Sequence, residues 1–313
     1  MGVLAGSGTA GRILLTGASG QVGGELLGLL PSLGEVAAPG RGEMDLADEA
    51  GNFRALREMI RTVRPRWIVN SAAYTAVDKA EAEPELAYAI NRDAVRVIGE
   101  EAQKIGAAVV HFSTDYVFDG QGSTPYVETD ATGPLNEYGK SKLAGELALT
   151  ESGAAHVIFR TSWVYGARGN NFLRTILRLA RERELLRVVG DQHGAPTWSG
   201  DLAAMTVAVM RHCETESDGE PLSATVERWG GLYHAAGAGE TTWHGFASEA
   251  VRQMRERKPG LRLAEIESIS TAEYPTPARR PGNSRLNCDQ LTSRFGWRML
   301  EWQESLRRVL AVL

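Results

Sequence analysis

The sequence predicts an α/β protein with a Rossmann-type doubly wound parallel sheet and a smaller C-terminal α/β substrate-binding lobe. Short apolar segments alternate with amphipathic helical segments through the first half of the chain, and a glycine-rich turn joins the first apolar segment to the first helix. Continuous apolar strands between amphipathic helices are typical of a parallel sheet covered on both faces. Ligands of such sheets bind beyond the carboxyl ends of the strands.

The first strand and the glycine turn predict a dinucleotide site. The apolar segment at residues 12–16 is followed by Gly17, Gly20 and Gly23, and an apolar helical stripe covers residues 25–30. The first glycine permits the tight turn, the second lets the backbone approach a pyrophosphate, and the third allows helix and strand to pack closely. The amino terminus of the helix adds free N–H groups for the phosphates.

The same alternation predicts the other strands and helices of the sheet. Strands are expected at residues 35–38, 67–69, 107–112 and 157–160, and helices at residues 53–63 and 85–105. Residues 72–75 follow the third strand, and Ser113 and Thr114 follow the fourth. We expect these residues to share the ligand-binding edge of the sheet.

Regular alternation loosens after residue 165, which suggests a second region. We expect a disordered extension at residues 1–10, a dinucleotide-binding domain at residues 11–165 to which later segments return, and mainly a substrate-binding lobe at residues 166–313. The polar stretch at residues 212–228 is expected to be exposed.

A tyrosine and a lysine four residues apart form the candidate proton donor. Tyr138 and Lys142 fall on the first turns of an expected helix, and residues at positions i and i+4 share one helix face, with Cβ atoms about 5–6 Å apart. A phenol with a pKa near ~10 is a poor acid at neutral pH, but a nearby cation favours its anion. Because such pairs also occur by chance on surface helices, the surrounding motifs decide the interpretation.

Composition excludes several other classes. The chain has 313 residues, 43% of them hydrophobic, and a formal net charge of −5, which argues against a nucleic-acid surface. Its two cysteines, Cys213 and Cys288, and the lack of Cys/His spacing indicate neither a disulfide framework nor a zinc site, so a reducing cytoplasm is expected. No apolar run reaches the ~18 residues of a membrane helix, so no membrane partner is expected.

A loop near the carboxyl end combines prolines with three guanidiniums. Residues 274–285 include Arg279, Arg280 and Arg285. Guanidiniums bind phosphates and carboxylates in a bidentate manner, so the loop is a candidate ligand clamp. A solvated surface loop is an equally good interpretation of the same residues.

Taken together, the motifs resemble a known family. The glycine turn, the segment Ser-Thr-Asp-Tyr-Val-Phe at residues 113–118 and the Tyr138/Lys142 pair look like an extended short-chain dehydrogenase/reductase. Within that superfamily the chain is most similar to the family of dTDP-4-dehydrorhamnose reductases. The similarity covers nearly the whole chain and includes the segments at residues 76–81, 160–165, 191–197 and 280–286.

The resemblance implies a reaction and roles for three side chains. The reaction is NAD(P)H-dependent reduction of the 4-keto group of dTDP-4-dehydro-β-L-rhamnose to dTDP-β-L-rhamnose, the last step of dTDP-L-rhamnose synthesis. Tyr138 would donate the proton, and Lys142 would lower the phenol pKa and bind the nicotinamide ribose. Thr114 would hold and polarise the substrate carbonyl.

The resemblance also implies which residues bind the ligands. Residues expected to contact the cofactor, besides Tyr138 and Lys142, are Gly17, Gly20, Gln21, Val22, Gly23, Arg41, Asp45, Leu46, Ala72, Ala73, Tyr74 and Thr75. Residues expected to contact the nucleotide sugar are Thr114, Asp115, Trp163, Arg280 and Asn283. A packing role for Trp163 and a turn-forming role for Asp115 are equally good interpretations.

Two departures from the family pattern matter. Many members carry an acidic residue after the second strand that binds the ribose 2′-OH, but here Pro39-Gly40-Arg41-Gly42 stands there, so we expect NADPH to be preferred while NADH remains usable. Some members dimerise through magnesium held by glutamates. Glu25 is at a matching place, but Gly200 replaces another acidic ligand, with Asp201 beside it. Magnesium is therefore doubtful, and a monomer and a homodimer both remain open.

Other functions share these motifs. A 4-epimerase or a reductase of another nucleotide sugar would keep the glycine turn and the Tyr138/Lys142 pair. A non-catalytic NADP-binding regulatory subunit belongs to a different class. The intact set of Thr114, Tyr138 and Lys142 disfavours that subunit.

Overall fold

The computed structural model describes residues 11–313, so the extension expected at residues 1–10 lies outside the described part. The β-strands are β1 (Arg12–Thr16), β2 (Glu35–Ala37), β3 (Trp67–Asn70), β4 (Ala108–Thr114), β5 (His156–Thr161), β6 (Val164–Tyr165), β7 (Leu185–Val189), β8 (His193–Gly194), β9 (Thr197–Trp198), β10 (Gly231–His234), β11 (Thr241–Thr242) and β12 (Glu265–Ile269).

The α-helices are α1 (Gln21–Leu29), α2 (Arg54–Val63), α3 (Val77–Ala80), α4 (Pro84–Tyr88), α5 (Ala94–Ile105), α6 (Glu137–Glu151), α7 (Phe172–Glu182), α8 (Ser199–Thr215), α9 (Leu222–Trp229), α10 (Trp243–Arg257), α11 (Asp289–Phe295) and α12 (Trp302–Leu310). A π-helical turn, Ala89–Asp93, joins α4 to α5. Within residues 11–313, none of these helices has the length and apolarity needed to span a bilayer.

A six-stranded parallel sheet in the order β10-β5-β4-β3-β1-β2 forms the centre of the molecule. Its order reverses beside β1, as in doubly wound folds. The register places Thr16 beside Asn70 and Asn70 beside His111. The predicted Rossmann-type parallel sheet is confirmed.

Helices cover both faces of this sheet. On one face, Leu26 of α1 and Leu202 and Met205 of α8 are fully buried in a cluster with Ile13 and Leu15. On the other face, side chains of α2 and α5 pack against Leu14, Ile68 and Val109 of the strands. Burial on both sides explains why the strands are continuously apolar instead of alternating.

Segments that follow residue 165 are divided between two cores. Helices α7, α10 and α12 pack with the parallel pair β7 and β12 around a separate cluster that includes Phe246 and Trp302. Strand β10 and helices α8, α9 and α11 instead complete the core of the main sheet. The expectation that residues 212–228 are exposed is wrong in part: α9 lies within this stretch, and Cys213, Thr225 and Val226 are buried.

A buried ion pair joins α6 to the sheet. Arg160 on β5 donates from Nε and Nη2 to the two carboxylate oxygens of Glu146, at 2.9 and 2.7 Å. Both residues are buried, with 4% of Arg160 and 5% of Glu146 exposed. Tyr138, Lys142 and Glu146 follow one another at four-residue spacing, so they lie along one face of α6.

We expect Glu146→Gln to lower the free energy of unfolding by about 3 kcal/mol or more, because removal of one partner leaves the Arg160 guanidinium buried without a counter-ion. The matched control is Glu182→Gln. Glu182 pairs with Arg178 at 2.9 Å, but more than half of each side chain is exposed. That control is expected to cost less than about 1 kcal/mol. Urea unfolding of both variants makes the comparison, and equal losses would contradict the importance of the buried pair.

Candidate active site

A cavity of about 400 Å³ opens at the carboxyl ends of β1, β2 and β3. Its lining is Thr16, Gly17, Ala18, Ser19, Ala38, Pro39, Gly40, Arg41, Met44, Asp45, Leu46, Ala72, Ala73 and Ile90. The volume lies within the range of small-molecule sites. Six residues predicted from the sequence to bind a dinucleotide line this one cavity: Gly17, Arg41, Asp45, Leu46, Ala72 and Ala73.

The glycine turn leaves no room for side chains at two of its three glycines. Gly17 has a φ of 70°, and a Cβ there would lie 2.6 Å from the backbone nitrogen of Ala72. A Cβ on Gly23 would lie 2.1 Å from the Gly17 carbonyl oxygen. At Gly20 the nearest atom would be 3.2 Å away, so this glycine does not serve close packing to the same degree.

The amino terminus of α1 fits the phosphates of a dinucleotide. No side chain caps this helix at Gly20, so the first N–H groups have no partner within the helix and favour an anion. The Gln21 side chain is directed elsewhere: its Oε1 accepts from Asn171 at 2.9 Å, and its Nε2 donates to the Val164 carbonyl at 3.4 Å. Val22 packs partly buried against the core.

The far end of the cavity is lined by the Arg41 guanidinium and the Asp45 carboxylate. Arg41 is exposed, and among residues 11–313 no ion-pair partner approaches it. Asp45 accepts the Ala47 N–H at 3.0 Å. The carboxylate of Glu43 is turned back onto the Gly40 N–H, at 2.9 Å. Arg41 is thus the side chain available to a phosphate at this end.

The loop after β3 connects the cavity wall to α6. Asn91, in the π-helical turn, accepts the Tyr74 N–H at 2.9 Å and donates to the Tyr74 carbonyl at 3.1 Å. The same amide donates to Ser141 Oγ at 2.9 Å. The Tyr74 phenol donates to Glu83 at 2.8 Å, and Thr75 is exposed. The sequence reasoning missed Asn91 and Ser141, because hydrophobic periodicity does not reveal a π-helical turn.

Thr114 and Tyr138 lie at the adjoining ends of β4 and α6. The Thr114 hydroxyl donates to Asp115 Oδ1 at 3.0 Å and accepts the Tyr116 N–H at 3.2 Å. The Tyr138 ring is half-buried, with the Tyr116 ring edge-on at 5.6 Å. Desolvation raises the pKa of Tyr138 to about 12, although the nearby Thr114 hydroxyl opposes the rise.

Lys142 lies beneath these groups and is only 2% exposed. Its ammonium donates to the Phe112 carbonyl at 2.6 Å and lies 3.5 Å from His111 Nε2. Burial lowers the pKa of Lys142 to about 8. The ammonium is directed to the Phe112 carbonyl, and burial raises the pKa of Tyr138, so the role of Lys142 in lowering the phenol pKa stays a prediction.

Asp115 is a buried acid beside Thr114. It is 2% exposed, and burial raises its pKa to about 6, against hydrogen bonds from Ser284 and Thr114. Its second oxygen, Oδ2, has no hydrogen-bond partner within the described residues. That oxygen is itself buried.

Trp163 adopts a backbone conformation that is rare outside glycine, with a φ of 46°. Its indole stacks on Trp243, with ring centroids 3.6 Å apart and planes 12° apart. Gly194 packs against the Trp163 indole, since a Cβ on Gly194 would lie 2.6 Å from the ring atom Cε2. The packing role of Trp163 is thus visible, and its substrate role stays a prediction.

The carboxyl-terminal loop is held by internal contacts. Arg280 forms a bidentate ion pair with Asp78, at 2.8 and 3.0 Å. The Asn283 amide donates to the carbonyls of Gly122 and Thr124, and its oxygen accepts from Arg285 at 2.8 Å. Both predicted substrate ligands are therefore engaged with the chain itself, and their contact with a sugar nucleotide stays a prediction.

The described residues 11–313 contain no group of three or more His, Cys, Asp or Glu side chains placed to hold a metal ion. Glu25 is partly exposed on α1. Asp201 is buried, and its Oδ2 accepts the Leu300 N–H at 2.7 Å. The carboxylate beside Gly200 thus has a partner of its own.

Comparison with known proteins gives matches over nearly the full length. Residues 11–313 match the family described as RmlD substrate binding domain. A dTDP-4-dehydrorhamnose reductase of Shigella flexneri is 46% identical over 299 residues, covering 96% of this chain and 97% of the relative.

Two solved structures have the same fold. A dTDP-4-dehydrorhamnose reductase of Clostridium acetobutylicum superposes with a TM-score of 0.85 at 34% identity, covering 96% of this chain and 99% of that one. The enzyme of the same name from Bacillus anthracis, solved in complex with NADP, gives a TM-score of 0.83 at 33% identity and covers 97% and 99% of the two chains. With this agreement in sequence and in fold, the chain belongs to the family of dTDP-4-dehydrorhamnose reductases.

Proposed function

We propose that this oxidoreductase transfers hydride from NADPH to the 4-keto group of dTDP-4-dehydro-β-L-rhamnose and so forms dTDP-β-L-rhamnose. The observation that carries the proposal is a cavity of about 400 Å³ lined by the glycine turn, Arg41 and residues 72–73, together with its hydrogen-bonded link to α6, the helix that carries Tyr138 and Lys142. Asn91 ties the wall of that cavity to α6 through Tyr74 and Ser141. The identity of the proposed sugar nucleotide is taken from the relatives, which are named dTDP-4-dehydrorhamnose reductases.

The residues around the cavity suit a nicotinamide dinucleotide, which when bound would supply the hydride. Gly17, Gly20 and the uncapped start of α1 would hold the pyrophosphate. Asp45 and Leu46 would contact the adenine, and Ala72, Ala73, Tyr74 and Thr75 the nicotinamide half. Arg41 would pair with a 2′-phosphate, for which a guanidinium provides a charge-assisted, bidentate partner.

The chain's own side chains would handle the negative charge that develops on the ketone oxygen. The Thr114 hydroxyl would exchange its hydrogen bond to Asp115 for one to that oxygen, in the manner of an oxyanion hole. Tyr138 would donate its proton there. A phenol pKa of about 12 keeps Tyr138 protonated at neutral pH, as a proton donor requires. Lys142, close by on the same helix face, would supply positive charge as the phenolate forms.

Residues from both parts of the chain would provide the sugar-nucleotide side of the site. Asp115 has one carboxylate oxygen free within the described residues, which suits a sugar hydroxyl. Trp163 would form an apolar wall. Arg280 and Asn283 fix the loop that closes this side, and either would reach the ligand only by exchanging an internal contact.

The direct test measures NADPH oxidation with dTDP-4-dehydrorhamnose as the substrate. Net oxidation together with formation of dTDP-rhamnose supports the proposal. An epimerase would convert a nucleotide sugar without net oxidation of the cofactor. A regulatory subunit would bind NADP without turnover, and either result would reject the proposed reaction.

Tyr138→Phe is expected to lower kcat by roughly 10²–10⁴-fold, because it removes the general acid and little else. Tyr88→Phe is the matched control: that ring packs on the Arg92 guanidinium at 4.9 Å and has no part in the site. Steady-state NADPH oxidation measures both variants. Equal rates for Tyr138→Phe and the parent enzyme would remove Tyr138 from its assigned role.

Arg41→Ala is expected to lower the ratio of kcat/KM for NADPH to that for NADH by about tenfold, the loss of one charge-assisted hydrogen bond. The parent enzyme is expected to prefer NADPH. Arg54→Ala, which removes an exposed arginine paired with Glu58, is the control and should leave the ratio unchanged. If the parent enzyme has a kcat/KM for NADH that equals or exceeds its kcat/KM for NADPH, the role of Arg41 is refuted.

The pH dependence is expected to follow Lys142. Since the pKa of Lys142 is lowered to about 8, its ammonium is present below that pH and is lost as the pH rises through it. Tyr138, with a pKa of about 12, stays protonated over the same range. We therefore expect kcat/KM to be level below pH 8 and to fall above it, and a rate that climbs from pH 7 to pH 9 would contradict this.

A further inference from the structure

A buried chain of polar groups leads from the cavity wall to Lys142. Thr16 Oγ1 accepts the Ala72 N–H at 3.3 Å and donates to Asn70 Oδ1 at 2.5 Å. Asn70 Nδ2 lies 3.0 Å from His111 Nδ1, and His111 Nε2 lies 3.5 Å from Lys142 Nζ. Asn70, His111 and Lys142 are each no more than 2% exposed. The proposed mechanism uses only the last of these groups.

The contacts at Thr16 determine the orientation of the Asn70 amide. In the observed orientation the Thr16 hydroxyl accepts from Ala72 and donates to Asn70, so each group has a partner. If the amide were reversed, its NH2 group would face Thr16, and the hydroxyl proton would have no acceptor there. A buried donor without a partner is costly, and the observed orientation is therefore preferred.

The orientation of Asn70 selects the tautomer of His111. Because the Asn70 NH2 group donates to Nδ1, that nitrogen carries no proton. A neutral imidazole then carries its proton on Nε2, the nitrogen that faces Lys142. An ammonium group has no lone pair with which to accept this N–H, whereas a neutral amine has one.

We propose that Asn70 holds His111 as its neutral, Nε2-protonated tautomer, and that His111 thereby acts as a positioning residue that favours release of the Lys142 proton. The Nε2–H group would donate to the amine that remains after release. Lys142 would then return to the ammonium form by taking a proton from solvent. His111 itself contacts neither substrate nor cofactor in this proposal.

The other charged groups around Lys142 do not explain such an effect. Glu146, one turn along α6, favours the ammonium form, although its carboxylate is already paired with Arg160. Burial, with smaller contributions from Lys142 and His156, lowers the pKa of His111 well below its usual value. His111 thus stays neutral near neutral pH, as the proposal requires.

The catalytic consequence rests on the proposed function. After Tyr138 has given its proton to the ketone oxygen, the phenolate must regain one, and a neighbouring lysine that releases its proton readily is a suitable source. The protonation states themselves do not depend on that reaction. They are measured without cofactor or substrate, so failure here and failure of the proposed function are distinguishable.

The first experiment needs no variant in the network. The chain is labelled with ¹⁵N in its histidine rings, and NMR then reports which nitrogen of each ring is protonated. His111 is assigned by the signal that is lost in His111→Gln, and His156→Gln is the control for its neighbour. We expect His111 to show protonated Nε2 and bare Nδ1 from pH 6 to pH 9. Protonation at Nδ1, or an imidazolium in this range, would overturn the proposal.

The second experiment reverses the hydrogen bond and titrates Lys142 by ¹⁵Nζ NMR. Asn70→Asp presents an acceptor to Nδ1, so His111 should change to the Nδ1-protonated form and offer a lone pair to Lys142. The pKa of Lys142 should rise by about one unit or more. His111→Gln, whose amide can present an oxygen to Asn70 and an NH2 group to Lys142, should keep the parent titration. Control titrations in His156→Gln should also match the parent.

A final comparison separates an effect through His111 from direct charge. Asn70→Asp is repeated in the background of His111→Phe, where no imidazole can pass on the reversal. We expect most of the rise in the Lys142 pKa to disappear. An undiminished rise in this background would show that the carboxylate acts through space and would overturn the role of His111, as would an unchanged Lys142 titration in Asn70→Asp alone.

Discussion

The orientation of the face of α6 that carries Tyr138 and Lys142 depends on the ion pair between Glu146 and Arg160. Three residues at four-residue spacing each reach a different part of the sheet: Tyr138 meets the end of β4, Lys142 donates to the Phe112 carbonyl, and Glu146 binds Arg160 on β5. Because the last contact is bidentate and buried, it restricts rotation of the helix about its axis. The net stability that a buried ion pair adds is modest, although removal of one partner is costly. The main effect of this pair is to fix the orientation of α6.

Two glycines on the same helix set its distance from its neighbours. A Cβ on Gly139 would lie 2.3 Å from the Tyr116 carbonyl oxygen, and one on Gly145 would lie 2.0 Å from the Asn91 carbonyl oxygen. The backbone of α6 therefore touches the segment after β4 and the π-helical turn directly. Backbone contact leaves less freedom than contact through long side chains, so Tyr138 and Lys142 stand on a rigid base.

The sheet and the glycine turn could be predicted because they depend on local pattern. Each predicted strand of the first half occurs within about two residues of its expected position, and Gly17 and Gly23 are in contacts that only glycine permits. The pairing of Lys142 with Phe112 and His111 could not be predicted, because helical spacing reveals neighbours along α6 but not those across the sheet. Arg280 and Asn283 are predicted from the sequence as ligand contacts, but the partners that hold them across the fold, Asp78 and the carbonyls of Gly122 and Thr124, are far away in sequence.

The ion pair between Asp78 and Arg280 joins residues 202 positions apart. The cavity wall comes from residues 16–90, whereas the loop that Asp78 holds is synthesised after all of these residues. The edge strand β10 is also synthesised after the other five strands of the sheet, β1 to β5, which follow one another in the sequence. During synthesis, the cavity at the ends of β1, β2 and β3 can thus take shape before the loop at residues 274–285 is in place.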